Sequence, residues 1–386
     1  MSGPTPELFA RLPEQYFTRI LGAAAAARSQ AGPPLVDLGR GNPDLPPPAV
    51  ALDALRAALD RANGMHGYPP FQGVPALREA IAARYLADHG VALDPEREVA
   101  VVPGTKTAIM LTVLACAGAG DAVALPDPGY PDYLSAVALA GARLVALPLD
   151  GTAGWQPDFG SLDGERLALA VLNYPSNPCA ACEAPGTFEA AVAWAHDHGA
   201  WLLNDLAYGF LAFDGRRARS VLEIDGARDV AVELWSPSKI YGMAGWRIGF
   251  AVGNAAVVGR VRELLDHLAA GVPVALQHGL VAALGGSQEH VRSRFEVYRR
   301  RRELLVARLP IDPPEGTFYA WWRPPAGLDA ESLLTGHRVA VAPGEGFGPR
   351  GAGYVRLSLA VADDELEEGV ERLAGAVAGG DVGRGQ

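Results

Sequence analysis

Short apolar runs recur at regular intervals through the middle of the chain, at residues 99–102, 122–125, 143–147, 167–172, 200–204, 230–234 and 247–252. Each is rich in Val, Leu and Ala, and the stretches between them are long enough for a helix. Continuous apolar runs of this length read as strands buried on both faces. Their alternation with helical segments is what a mostly parallel sheet flanked by helices requires. The spacing therefore predicts an α/β fold with seven sheet strands. Ahead of it, the pattern predicts a helix around 13–28, a rigid proline-rich connection from Pro43 to Pro48, and helices over 50–63 and 74–89. Pro75 opens the last of these, at a first-turn position where its missing N–H costs nothing.

The last hundred residues change character. A long helix carrying RSRFEVYRRRRELLVARL precedes short strands at 317–322 and 354–358 and an acidic closing helix. That reads as a smaller α+β unit joined by the N-terminal helix. The expected division is an N-terminal arm and part of the small domain over 1–44, a large domain over 45–275, and a small C-terminal domain over 276–386.

Composition narrows the partners. With 386 residues, 49% of them hydrophobic, there is material for a large core shared by two lobes. The 33 basic side chains against 44 acidic ones leave a net charge of −11, which disfavours nucleic acid and anionic membrane surfaces. No window of about 18 uncharged apolar residues is present, so no membrane span is expected. The start, MSGPTPELFARLPEQ, lacks the basic and apolar regions of a signal peptide. Three cysteines suit a reducing cytoplasm better than a disulfide-stapled exterior.

Four local patterns carry candidate chemistry. Ser236-Pro237-Ser238-Lys239 follows an apolar strand, and Arg247 comes eight residues after the lysine. Hydroxyls, exposed amides and a guanidinium can cradle a phosphate while the nearby amine condenses with an aldehyde. A solvated Ser-Lys turn followed by a structural arginine would read the same way. Asp205 closes the run Trp201-Leu202-Leu203-Asn204, where a carboxylate is costly unless it meets a cation such as a protonated ring nitrogen. Tyr208, three residues on, could reach a phenolic oxygen on that ring; a helix cap is the plainer role for Asp205. In Asn173-Tyr174-Pro175-Ser176-Asn177-Pro178 the prolines stiffen a loop that presents Asn177. Gly104-Thr105-Lys106 opens a helix and aims free N–H groups at an anion, or simply caps that helix.

Taken together and in this order, these patterns resemble the fold-type-I pyridoxal 5′-phosphate (PLP) enzymes, and among them the class I/II aminotransferases. The likeness extends to Asp37-Leu38-Gly39-Arg40-Gly41-Asn42-Pro43-Asp44, His66-Gly67-Tyr68, Pro128-Gly129-Tyr130-Pro131 and Tyr354-Val355-Arg356-Leu357-Ser358, covering roughly 35–360. It is nearest the alanine and diaminopimelate aminotransferase branch. The resemblance implies PLP bound as a Schiff base on Lys239, with Asp205 opposite the pyridine nitrogen and Asn177 and Tyr208 at the phenolic oxygen. It implies Tyr130 stacked on the ring, and Gly104, Thr105, Lys106, Ser236, Ser238 and Arg247 around the phosphate. Arg356 would clamp a substrate α-carboxylate with help from Asn177 and Gly41. Tyr68 would reach the phosphate of a neighbouring subunit, which implies a homodimer with shared sites. The implied activity moves an amino group between an L-α-amino acid and a 2-oxo acid.

One departure stands out: relatives usually have Asn-Pro-Thr-Gly where this chain has Asn177-Pro178-Cys179-Ala180. Loss of a glycine that adopts positive φ easily is expected to reshape the loop. It leaves room for an alternative in which the same residues serve elimination, replacement or cyclisation at Cβ or Cγ of an amino acid. Cys179 and Cys182 form a lone CxxC with no second pair, and read as incidental small residues rather than a metal or redox site. Arg40 could meet an acidic substrate side chain or pair with a structural carboxylate; the second is the expectation. The run 299–302 reads as a solvated helix face. The roughly 34 residues ahead of the Gly39 region are too few for the winged-helix domain of a PLP-dependent transcription regulator.

Overall fold

The computed structural model describes residues 6–61 and 65–382, with side chains described through 379. All seven predicted strands form, and a two-residue edge strand makes an eighth. Their order is Val99–Val102, Gly249–Gly253, Ala231–Trp235, Trp201–Asp205, Leu169–Leu172, Ala122–Asp127, Arg143–Asp150 and Gln156–Pro157. Only Gly249–Gly253 and the short Gln156–Pro157 run against the others, so the sheet is mostly parallel.

Alternation along each strand sends side chains to two separate cores. Val99, Val101, Ala124, Leu172 and Leu202 face one core, with Leu77, Ile81 and Phe188 from the helices Pro75–His89 and Thr187–His198. Ala100, Val102, Val123, Leu125, Val171 and Leu203 face the other. There they meet the helices Thr105–Cys116, Asp132–Ala140 and Ala255–Leu268. Both faces are thus covered, and what remains for a ligand is the edge where the strands end.

The predicted helix over 74–89 is Pro75–His89, stopped by Gly90 at φ 69. The one expected over 50–63 runs Ala49–Leu59; positions 62 and 63 of that expectation lie outside the described residues. The N-terminal helix is Tyr16–Arg28, after a short turn of helix at Glu7–Arg11.

A three-stranded antiparallel sheet, Tyr319–Trp322, Val355–Ser358 and Ala342–Pro343, shares one core with the helices Glu289–Arg308 and Asp363–Val382, through Trp322 and Leu357 on the sheet and Leu305 and Leu366 on the helices. Val36–Asp37 pairs in parallel with Val339–Ala340, which brings the Gly39–Asn42 segment beside this smaller sheet. The expectation of a solvated 299–302 face holds for only half of it. Arg301 is buried between Asp44 and Asp363, 2.8 and 2.7 Å away, and the buried Arg302 reaches Asp214. Buried guanidinium groups need such carboxylate partners, which residues far away in sequence supply.

Candidate active site

At the carboxyl ends of the parallel strands lies a cavity of about 320 Å³, where open α/β sheets place ligands. Its wall includes Gly41, Thr105, Lys106, Tyr130, Asn177, Asp205, Tyr208, Ser238, Lys239, Arg247 and Arg356, together with Arg40. Residues from all four chemical patterns therefore meet in one place. The whole chain has two lysines among its 33 Lys and Arg, and both line this cavity.

One end of the cavity is built for an anion. Gly104 turns the chain from strand into the helix Thr105–Cys116 at φ 87, and a Cβ there would lie 2.4 Å from the Arg247 guanidinium. The first N–H groups of that helix have no partners within it and point outward. Arg247 itself holds a left-handed φ of 54, the kind of backbone strain retained where function needs a side chain aimed. Ser236 lies just behind the wall. Its hydroxyl donates to Ile248 O at 2.9 Å and takes part in a 2.6 Å contact with the Ser238 hydroxyl.

Asp205 ends the strand Trp201–Asp205 and is buried. Its carboxylate accepts from the Tyr133 hydroxyl at 2.8 Å and from Ala207 N at 3.2 Å, and among the described residues it forms no ion pair. Burial pushes its pKa up to about 6, against the opposing pull of Tyr133, Ala207 and Lys239. Lys239 reaches into the cavity from the other side, with Nζ 3.4 Å from Gly41 O and above the rings of Phe318 and Tyr208. The Tyr208 hydroxyl donates to that of Tyr319 at 3.3 Å. Burial raises the Tyr208 pKa. Tyr319 is pushed up by burial too, but Arg356 and Lys239 outweigh it and bring it below the usual tyrosine value.

Arg356, in the middle strand of the small sheet, is fully buried with no carboxylate partner among the described residues. It donates to Asn177 Oδ1 at 2.7 Å and Gly39 O at 3.2 Å, lies 3.9 Å above the Tyr319 ring, and leaves Nε without a partner. Gly41 must be glycine, because a Cβ there would sit 1.8 Å from the Tyr319 hydroxyl.

Tyr68 stands apart: it is 88% exposed and does not line this cavity. Arg40 departs from the expectation of a structural ion pair. Asp37 is taken by Arg28 at 2.6 Å and Asp44 by Arg301, so Arg40 stays exposed on the cavity wall with no carboxylate partner among the described residues. Ala180, at the position where relatives usually have glycine, adopts a left-handed φ of 56, a conformation that favours glycine. Cys179 and Cys182 are buried free thiols, the second pushed up to about 12 by burial, and the described residues hold no group of metal ligands.

Sequence reasoning missed Tyr319, Phe17, Tyr133 and Asp132. Phe17 projects from the helix Tyr16–Arg28 onto the cavity, 5.8 Å from the Tyr130 ring. No motif flags these residues, whose roles come from contacts between distant elements.

Residues 33–373 match the family described as aminotransferase class I and II. The chain is 38% identical over 376 residues to the transaminase BacF of Bacillus subtilis, covering 94% of each. It is 39% identical over 378 residues to the LL-diaminopimelate aminotransferase of Desulforudis audaxviator, covering 95% of this chain and 96% of that one. The substrate-bound structure of BacF superposes with a TM-score of 0.91 at 37% identity, covering 97% of this chain and 98% of that chain. The chain belongs to the class I and II aminotransferase family, with the type I fold, and is a PLP-dependent aminotransferase. The cavity fits that cofactor. It offers a buried carboxylate that makes no ion pair among the described residues for the ring nitrogen, a primary amine for the aldehyde, and a helix start with Arg247 for the phosphate. No helix among the described residues is long and apolar enough to cross a membrane.

Proposed function

We propose that this cavity exchanges an amino group between an L-α-amino acid and a 2-oxo acid, with Lys239 as the reacting amine and Arg356 as the grip on the α-carboxylate. The observation that carries the reading is Arg356: a buried guanidinium with an unpartnered Nε, opening onto the cavity that holds the free Lys239 amine. A buried cation is costly without an anion, and a planar fork matches a carboxylate in two bonds at once.

When bound, PLP supplies an aldehyde for the lysine and a ring that delocalises charge from Cα. The protein does the rest. Asp205 would hold the ring nitrogen protonated, and Tyr208 and Asn177 would orient the phenolic side. Tyr130 would cover the ring face. Thr105, Lys106, Ser236, Ser238 and Arg247 hold the phosphate over the Gly104 turn. Arg356, Asn177 and the Gly41 backbone fix the substrate carboxylate. Lys239, whose amine faces the cavity, would take and return a proton at the substrate Cα as general base and acid.

Arg40, with no carboxylate partner among the described residues, belongs to the substrate side-chain region and would meet an acidic group there. Tyr68, exposed on one chain, completes the site of a second copy in a homodimer. Three free thiols suit the cytoplasm. The parallel pairing of Val36–Asp37 with Val339–Ala340 supports reading 1–44 as an N-terminal arm that contributes part of the smaller domain with 276–386, and 45–275 as the larger.

Adding an amino acid alone to the holoprotein should convert the bound cofactor to its amine form, read in the visible spectrum, with a 2-oxo acid released. Ammonia release instead would mark elimination. Arg356→Lys should raise the donor KM by roughly 30- to 150-fold, a loss of about 2–3 kcal/mol. An unchanged KM would remove Arg356 from the carboxylate grip.

A further inference from the structure

Asp132 is buried, and three donors, two of them from distant elements, converge on its carboxylate. Lys106 Nζ, in the first turn of the helix Thr105–Cys116, lies 2.9 Å from Oδ1. Gln15 Nε2, at the cap position of the helix Tyr16–Arg28, donates to the same oxygen at 2.7 Å. The Tyr130 hydroxyl donates to Oδ2 at 2.5 Å. Asp132 itself begins the helix Asp132–Ala140, where the helix dipole favours a negative charge.

We propose that Asp132 is a positioning residue, which sets the Tyr130 ring and the Lys106 ammonium against the cofactor and ties both to the helix that covers the cavity. The inference rests on the reading that Tyr130 and Lys106 face PLP. Packing against Phe17 and Tyr133 limits the Tyr130 ring, and a charge-assisted bond at its hydroxyl fixes its far end. The N-terminal helix supplies Phe17, Ile20 and Leu21 to the cavity wall, and Gln15 fastens its first turn to the same carboxylate. The lysine is informative as well. Arginine supplies nearly every other cation in the chain, and the two ammonium groups left are Lys239 and the partner of Asp132. A compact ammonium sits at a single carboxylate oxygen, whereas a guanidinium fork would spread over both and compete with Tyr130. One buried carboxylate thus joins the cover of the site to two parts of its cofactor seat.

The test compares Asp132→Asn, Tyr130→Phe and the double variant as holoproteins. Tyr130→Phe keeps the ring and removes only the hydroxyl that meets Asp132. The readouts are the rate of PLP release into a scavenger and the visible circular dichroism of the bound cofactor. Mass spectrometry of the borohydride-reduced adduct first establishes that the cofactor is on Lys239; its absence there would defeat the assignment of the site rather than that of Asp132. Asp132→Asn should release PLP roughly tenfold faster with a weakened dichroism band. Tyr130→Phe should shift both readouts part of the way, and the double variant should match Asp132→Asn, because the hydroxyl acts through the carboxylate. A lowered melting temperature with unchanged release and dichroism would overturn the proposal, as would single effects that multiply in the double variant. Should Asp132→Asn fail to fold, Tyr130→Phe alone decides: wild-type release and dichroism would sink the idea.

Discussion

A carboxylate at the end of a buried strand is held in its charged form only by what lies opposite. Asp205 has one hydroxyl and one amide to accept from, and burial still lifts it from 3.8 to about 6. A raised acid favours the folded apoprotein below its unfolded value near 3.8, and that contribution is lost as pH climbs through about 6. The charged form then costs the apoprotein about 3 kcal/mol. A protonated ring nitrogen opposite Asp205 removes this cost. The gap in melting temperature between holo- and apoprotein should therefore widen as pH rises from 5 to 7, and stay level in Asp205→Asn. A gap independent of pH in the wild type would show that no cation faces this carboxylate. Arg40 poses the opposite problem, a cation whose neighbouring carboxylates are already engaged by Arg28 and Arg301. Arg40→Ala should lower kcat/KM for acidic donors roughly tenfold and leave neutral donors within about twofold. Equal loss on both would return Arg40 to a structural role.

At the scale of elements, the helix Ala255–Leu268 shows how local chemistry and long-range packing divide the work. Asn254 caps it, accepting from Ala256 N and Val257 N at 3.1 and 3.2 Å while its amide donates to Arg228 O and Asp229 O. Asn254→Ala should cost about 1–2 kcal/mol in denaturant unfolding, with kcat/KM unchanged, since the helix supplies no residue to the cavity. Devices of this kind are written in adjacent residues, and so were the strands: each predicted run is a strand here, displaced by at most two residues at its start. The motifs on the strand ends were legible for the same reason. Asp205 closes one strand, Ser236 and Lys239 come just after another and Arg247 just before a third, and strand ends are where such sheets bind. The opaque residues depend on partners far along the chain. Tyr208 meets Tyr319 across 111 residues, Gln15 meets Asp132 across 117, and Asp44 claims Arg301 across 257. Periodicity reports which face of an element is apolar, and it carries no record of which polar group waits on the next element. That is also why Arg301 and Arg302 read as solvated.

For the whole molecule, the family defines the reaction while the amino donor varies within it. The two relatives, at 38% and 39% identity, carry different names, one simply a transaminase and the other specific to LL-diaminopimelate. What a family shares is the reaction; on the proposed reading, donor choice would fall to the rim, where Arg40 and the N-terminal helix stand and where a second copy would contribute. Tyr68 is the residue that makes this concrete. An aromatic side chain 88% exposed on one chain, and absent from the wall of its own cavity, is accounted for if it enters the neighbouring subunit's site. Each site would then combine Lys239 of one subunit with Tyr68 of the other. Lys239→Ala and Tyr68→Ala homodimers should each be nearly inactive. When the two variants are unfolded together and refolded as a mixture, about half of the dimers should be mixed. Each mixed dimer carries both lesions at one site and none at the other, so activity should recover to about one quarter of wild type. A mixture no more active than its components would mean that Tyr68 serves its own chain or none, and the shared-site dimer would have to be abandoned.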